Sequence, residues 1–224
     1  MSAAGPGLDR DALDEALETI NRARARGPGD AVRTADLLGG LEKLLAADRA
    51  GRTDRDPGGG DALAELDGIL REAGAEDGAE SLRTYIEPIL ERLIEALLDR
   101  PEERLAAYGS LRRGEENHHR ISRLVGRWLA GTVEGTRYER GWGAAQGYPG
   151  LVWRPGDPPV AVEVFESRAL PEHWERLDAF EGPGYDRILA PVDTAAGVRV
   201  CNLYAVRGTP DGAAATDVPR SPGA

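Results

Sequence analysis

The feature that most constrains this chain is a break in composition near Pro101. Ahead of it stands a single aromatic ring, Tyr85; behind it come all 4 tryptophans, both phenylalanines and the other tyrosines. A segment of 100 residues with one ring has to build its core from leucine and isoleucine, and a segment rich in tryptophan, tyrosine and valine favours strands. Charge divides at the same place, with 22 acidic and 13 basic side chains in residues 1–100 against 17 and 15 in the remainder. The expected organisation is a helical region at 1–100, a β-rich domain at 101–208, and a tail at 209–224 whose proline, glycine and alanine predict disorder.

Leu13, Leu17 and Ile20 recur at helical spacing within Asp9 to Arg24, as do Leu37, Leu38, Leu41, Leu44 and Leu45 within Asp30 to Arg49. Residues 50–60, ending in Asp-Pro-Gly-Gly-Gly, read as a charged, mobile loop. Asp61 is placed to cap a helix carrying Leu63, Leu66, Ile69 and Leu70 that stops near Gly74. The most apolar stretch sets Tyr85, Ile86, Ile89, Leu90, Leu93, Ile94, Leu97 and Leu98 in pairs four apart, which predicts one continuous helical face, with Pro88 opening or kinking the helix. The expected product is a small helical bundle or an oligomerisation element, through which the chain could form a homodimer. It holds no histidine or cysteine, and its carboxylates alternate with arginines as solvated helix faces do.

After Pro101 the period shortens to two. Val160 to Phe165 and Val198 to Val206 read as strands, as do Arg104 to Tyr108 and Trp128 to Tyr138, while Pro171 to Phe180 reads as a short helix with proline in its first turn. Strands with a few helices make the class α+β: a C-terminal barrel or strongly curved mixed sheet preceded by an all-α region.

The net charge of −11 argues against a nucleic-acid partner, because neutralising phosphates takes a clustered basic surface. No apolar run approaches the roughly 18 residues a membrane-spanning helix needs, so no membrane partner is expected. The lone Cys201 cannot form an intrachain disulfide, and the N-terminus lacks a basic-then-apolar leader, so the expected compartment is the cytoplasm.

Several local signals fail on inspection. Gly141 to Gly147 is one residue too long for a dinucleotide fingerprint. Ser110 lacks the glycine two residues later that a nucleophile elbow requires, although His118 and His119 lie nearby. Glu115-Glu-Asn-His-His119 has the residue types of a metal site, but adjacent histidines on regular structure point apart.

Two distant segments say more. Leu105-Ala-Ala-Tyr-Gly-Ser-Leu-Arg-Arg-Gly-Glu-Glu-Asn-His-His119 is an apolar strand running into a glycine turn with free backbone N–H groups. Leu177-Asp-Ala-Phe-Glu-Gly-Pro-Gly-Tyr-Asp-Arg187 places Glu181 at the end of a short helix beside Phe180. The negative end of the helix dipole and the apolar neighbour both favour the protonated carboxyl and raise its pKa, and a carboxyl poised near neutrality can take and return a proton.

Together these segments resemble the signatures of the γ-glutamylcyclotransferase-like superfamily, in which a Y-G-S/T-L turn binds substrate and the glutamate of an L-D-x-F-E segment is the acid/base. The Arg-Arg-Gly-x-x-Asn-His continuation, Tyr148-Pro-Gly-Leu151, Glu163-Val-Phe165 and Tyr185-x-Arg187 resemble the γ-glutamylamine cyclotransferase branch more than the glutathione-specific one. The resemblance runs from about Leu105 to Val206 and covers nothing before Pro101. It implies a mixed β-barrel of that type and a cofactor-free, metal-free reaction. In that reaction the α-amine of a small-molecule γ-glutamyl substrate attacks its own γ-carbonyl, releasing 5-oxoproline and an amine. It implies Glu181 as the catalytic group and Tyr108, Gly109, Ser110, Leu111 and Tyr185 as substrate-binding residues, with both tyrosines closing the pocket or donating hydrogen bonds. Arg187 is expected to pair with a carboxylate such as Asp178. Three alternatives stay open: an inactive interaction module on the same fold, a hydrolase using Ser110, and a biosynthetic enzyme that removes a γ-glutamyl protecting group.

Overall fold

The computed structural model describes residues 9–51, 79–138 and 149–207. The predicted loop beyond Gly51, the helix expected from Asp61, the Gly141 to Gly147 segment, Tyr148 and the tail fall outside them. The chain divides into two compact units, Met1–Arg100 and Pro101–Ala224.

The first unit is helical. Helix α1 (Arg10–Arg24) buries Leu13, Ala16, Leu17, Ile20 and Ala23, a stripe at three- and four-residue spacing. Helix α2 (Ala31–Gly51) meets it through Leu37, Leu38, Leu41 and Leu44. Gly40 lies where Ile20 crosses, and a Cβ there would sit 2.5 Å from Ile20 Cγ1, so glycine lets the two helices approach. Asp30 caps α2 by accepting hydrogen bonds from the N–H groups of Val32 and Arg33 at 2.8 and 3.0 Å. Helix α3 (Ala79–Leu97) carries Pro88 within it. Its paired apolar residues do not form one buried face. Leu90, Ile94 and Leu98 are buried, whereas Tyr85, Ile89 and Leu93 are exposed, because one residue along a helix is a rotation of about 100° and takes the second row off the contact line.

What seals α3 to α1 and α2 is polar. Glu87, 3% exposed, accepts from Thr34 Oγ1 at 2.8 Å, from the Gly29 N–H at 3.2 Å and from Arg33 Nε at 3.0 Å. Arg24 bridges Glu91 and Glu95 at 2.9 Å each. A buried carboxylate is tolerated when its lone pairs are filled this way.

The second unit is a five-stranded barrel with one extra strand. Its strands are β1 (Arg104–Ala107), β2 (Arg127–Tyr138), β3 (Gly150–Trp153), β4 (Pro159–Glu166), β5 (Tyr185–Thr194) and β6 (Gly197–Val206). Neighbours run β2-β4-β1-β6-β5 and close through β5 back to β2, with β3 laid on the outer edge of β2. All pairs are antiparallel except β1 with β6. The closing seam has only two register pairs, Gly131 with Thr194 and Thr132 with Asp193. It needs Gly131, where a Cβ would lie 2.6 Å from Val192 Cγ1 and 2.9 Å from the Asp193 carbonyl oxygen.

Side chains alternate between two cores. Val133, Val160, Val162, Val164, Val192 and Leu203 fill one, while Leu105, Phe165, Leu177 and Tyr204 form the other beneath helix α4 (Trp174–Glu181), which follows a 3-10 turn at Leu170–His173. Strand β1 contributes Ala106 to the first and Leu105 and Ala107 to the second, so it is buried on both faces and reads in sequence as an unbroken apolar run.

Candidate functional site

The turn that follows β1 faces the end of helix α4 and the turn that leads into β5. Beyond Ala107 the chain leaves the sheet as Tyr108-Gly109-Ser110-Leu111. This turn is held from behind. Asn117 donates its N–H to the Ser110 carbonyl at 3.0 Å, and Arg113 clamps Glu163 on β4 through its N–H at 2.9 Å and its guanidinium at 2.8 Å. The N–H groups of Gly109, Ser110 and Leu111 donate to no acceptor among the described residues. Gly109 also passes close to Pro149, whose Cγ would stand 3.3 Å from a Cβ at that position.

Across from the turn, α4 stops at Glu181. Gly182 ends it with φ 70° and ψ −171°, a conformation essentially reserved for glycine, and its N–H returns to the Asp178 carbonyl. The short turn Gly182–Gly184 then delivers Tyr185 into β5. The β5–β6 hairpin sets Arg187 opposite Tyr204.

A cavity of about 120 Å³ opens between these parts, and all six residues expected from the sequence line it: Tyr108, Gly109, Ser110, Leu111, Glu181 and Tyr185. Phe180, Pro149 and Tyr204 share the lining. Burial pushes the Glu181 carboxyl up to about 7; Asp178 adds to this and the Arg120 guanidinium opposes it. The direction agrees with the sequence reading, but the main cause is loss of water.

The two tyrosines line the cavity, and their hydroxyl hydrogens are directed to backbone carbonyls. The Tyr108 hydroxyl donates to the Tyr204 carbonyl at 2.7 Å, and the Tyr185 hydroxyl donates to the Pro149 carbonyl at 3.1 Å. Both phenols spend their hydrogen on backbone, so they shape the cavity. Burial, followed by the charges of Tyr185 and Glu181, holds the Tyr108 phenol well above its ordinary pKa, so it stays protonated.

Tyr204 is the lining residue that sequence reasoning passed over, because it reads as one more position in an alternating strand. Its hydroxyl donates to Asp178 Oδ1 at 2.7 Å, and Asp178 is gripped by Arg187 at 2.8 and 3.2 Å. Arg187 also reaches Asn202 at 3.1 Å and lies 4.6 Å from the Trp174 ring centre. This chain fixes the last turn of α4, and with it the base of Glu181. Of the two histidines after the turn, His118 faces the Leu111 carbonyl at 3.4 Å and the Trp128 ring, while His119 is exposed. Among the described residues no three His, Cys, Asp or Glu side chains gather where they could hold one metal ion, and no helix is long and apolar enough to cross a membrane.

The arrangement sets three backbone N–H groups without an acceptor among the described residues beside one carboxyl raised to about 7. A family model described as gamma-glutamyl cyclotransferase, AIG2-like matches residues 105–220. No curated protein matches the sequence. Among solved structures, YkqA from Bacillus subtilis is similar at 28% identity with a TM-score of 0.38, over 48% of this chain and 36% of that one. The chain thus spans about a third of YkqA. PH0828 from Pyrococcus horikoshii is similar at 28% identity and TM-score 0.37, over 49% of this chain and 82% of that one. An AIG2-like protein from Mus musculus is similar at 23% identity and TM-score 0.38, over 47% and 77%.

Proposed function

The chain belongs to the gamma-glutamyl cyclotransferase, AIG2-like family, and on that premise we propose that its cavity converts a γ-glutamyl amine to 5-oxoproline and free amine. The observation that carries this reading is that one cavity is lined both by a turn whose Gly109, Ser110 and Leu111 N–H groups donate to no acceptor among the described residues and by a carboxyl raised to about 7. Nucleophile and electrophile belong to one molecule, so holding the glutamyl chain folded supplies a large part of the acceleration.

Glu181, ionised, removes a proton from the substrate α-ammonium. The freed amine attacks the γ-carbonyl carbon, forming the ring C–N bond, and the carbonyl oxygen becomes an oxyanion. Glu181 then returns its proton to the leaving nitrogen as the original C–N bond breaks, and the second proton of the ring nitrogen passes by way of Glu181 to the released amine, which departs as its ammonium ion. Substrate, product and enzyme balance without a co-reactant. The Gly109, Ser110 and Leu111 N–H groups serve the substrate carboxylate or the oxyanion. A carboxyl near 7 suits both proton transfers, because acid and base forms coexist at neutral pH.

The test is detection of 5-oxoproline by mass spectrometry after incubation with γ-glutamyl amines, γ-glutamyl dipeptides and glutathione. Glu181→Gln should lower turnover by about 10²- to 10⁴-fold, and Ser110→Ala should largely spare it. For wild type, kcat/KM should rise with pH through about 7 as the base form appears. Loss of activity in Ser110→Ala with Glu181→Gln unaffected would favour the hydrolase. No product from a folded wild-type protein would leave a silent module or a more elaborate γ-glutamyl substrate from a biosynthetic route.

A further inference from the structure

On the far side of Phe180 lies a second, open recess of about 540 Å³ whose chemistry is unlike the rest of this acidic chain. Arg120, Arg123, Arg176, His119 and His173 line it, and among the described residues no carboxylate does. His119, Arg120 and Arg123 come from the 3-10 turn His118–Arg120 and the residues just after it, and the fold brings to them His173 from the turn Leu170–His173 and Arg176 from α4.

Several of these groups are left with unused donors. Arg123 is exposed and has no ion-pair or hydrogen-bond partner among the described residues. Arg120 Nε is sealed from solvent without a hydrogen-bond partner there, and buried donors are ordinarily satisfied. Arg176 donates to the Arg120 carbonyl at 2.9 Å through one Nη, which joins α4 to the 3-10 turn and leaves its other donors over. His119 and His173 face the carbonyls of Glu116 and Ala169 through Nδ1 at 3.0 and 2.8 Å. A carbonyl only accepts, so Nδ1 carries the hydrogen in each ring and is spent on backbone, and the donors that face an anion in this recess are those of the arginines. Three guanidiniums around one concavity concentrate anions there.

The recess adjoins the cavity of Glu181 through one contact between their linings. The Arg120 guanidinium lies 3.6 Å from the centre of the Phe180 ring, and Phe180 lines the cavity of Glu181. We propose that this recess binds a phosphate-class anion, and that Arg120 couples its occupancy to the Glu181 pocket. The phosphate has two possible sources, the amine half of the substrate or free solution. The first source rests on the cyclotransferase reading; the binding does not.

The full chain is titrated with inorganic phosphate by calorimetry, against sodium chloride at matched ionic strength, for wild type, Glu181→Gln, Arg123→Gln and Arg123→Lys. The expected result is saturable binding that survives in Glu181→Gln, weakens about tenfold in Arg123→Gln, and largely returns in Arg123→Lys. Absence of saturable binding in wild type, or equal binding in Arg123→Gln, overturns the site.

A second arm compares γ-glutamyl-O-phosphoethanolamine with γ-glutamylethanolamine. A higher kcat/KM for the phosphorylated substrate that disappears in Arg123→Gln assigns the anion to the leaving amine. A response of the neutral substrate to added phosphate, absent in Arg123→Gln, assigns it to free solution. Phosphate binding with neither effect overturns the coupling through Arg120. If no γ-glutamyl substrate turns over, the cyclotransferase reading fails while the binding titration still decides the site.

Discussion

Glu181 pays for its proton affinity in folding as well as in chemistry. Its pKa is about 7 in the folded chain against an ordinary 4.5, so between those values the folded state holds more protons than the unfolded one. Stability therefore falls as pH rises through that window and levels off above it. Glu181→Gln removes the ionisable group, so its melting temperature should gain on wild type from about pH 5 to about pH 8, as read by thermal unfolding at both. Tyr108 makes a second case. Tyr108→Phe takes away the hydrogen that the Tyr204 carbonyl accepts and should destabilise by about 1–3 kcal/mol in urea unfolding. At this scale the sequence was informative about which residues meet, because glycine turns and a helix-end carboxylate are local signals. It was silent on what each hydroxyl bonds, since the partners of Tyr108 and Tyr204 lie 96 and 26 residues away.

Among the elements, the strands the sequence revealed are those whose pattern is one-sided or continuously apolar. Strand β4 was expected from Val160 to Phe165 and spans Pro159–Glu166; β6 was expected from Val198 and begins at Gly197. Strand β5 was missed because Pro191 interrupts it and Leu189 to Val192 are buried in succession, which hides the alternation. Strand β3 is only four residues long. The closure that β5 makes with β2 is accordingly the least legible part of the barrel, and it rests on two register pairs. Gly131→Val adds a branched side chain where Val192 already stands at 2.6 Å from a Cβ, and it should destabilise by at least about 1–3 kcal/mol in urea unfolding.

For the whole molecule, the two units enclose separate cores and carry separate optical reporters. Every tryptophan lies beyond residue 101, whereas the long helices α1, α2 and α3 lie before it. Glu87→Leu leaves Arg33 and Thr34 facing an apolar side chain and should cost about 3–5 kcal/mol. That loss should move the transition followed by helical circular dichroism and leave the tryptophan-fluorescence transition in place. The polar seam around Glu87 was not legible in the sequence, because its partners Gly29, Arg33 and Thr34 lie more than 50 residues away. The pairing of β1 with β6, Leu105 beside Asn202, bears on how the chain is made. The helices before residue 101 rely on neighbours already translated and can settle while synthesis continues. The barrel cannot, because its first strand waits nearly a hundred residues for the partner that completes the wall of the cavity. During synthesis the helical part can thus be finished before the chemical part has assembled, with β1 the stretch most in need of shelter in the interval.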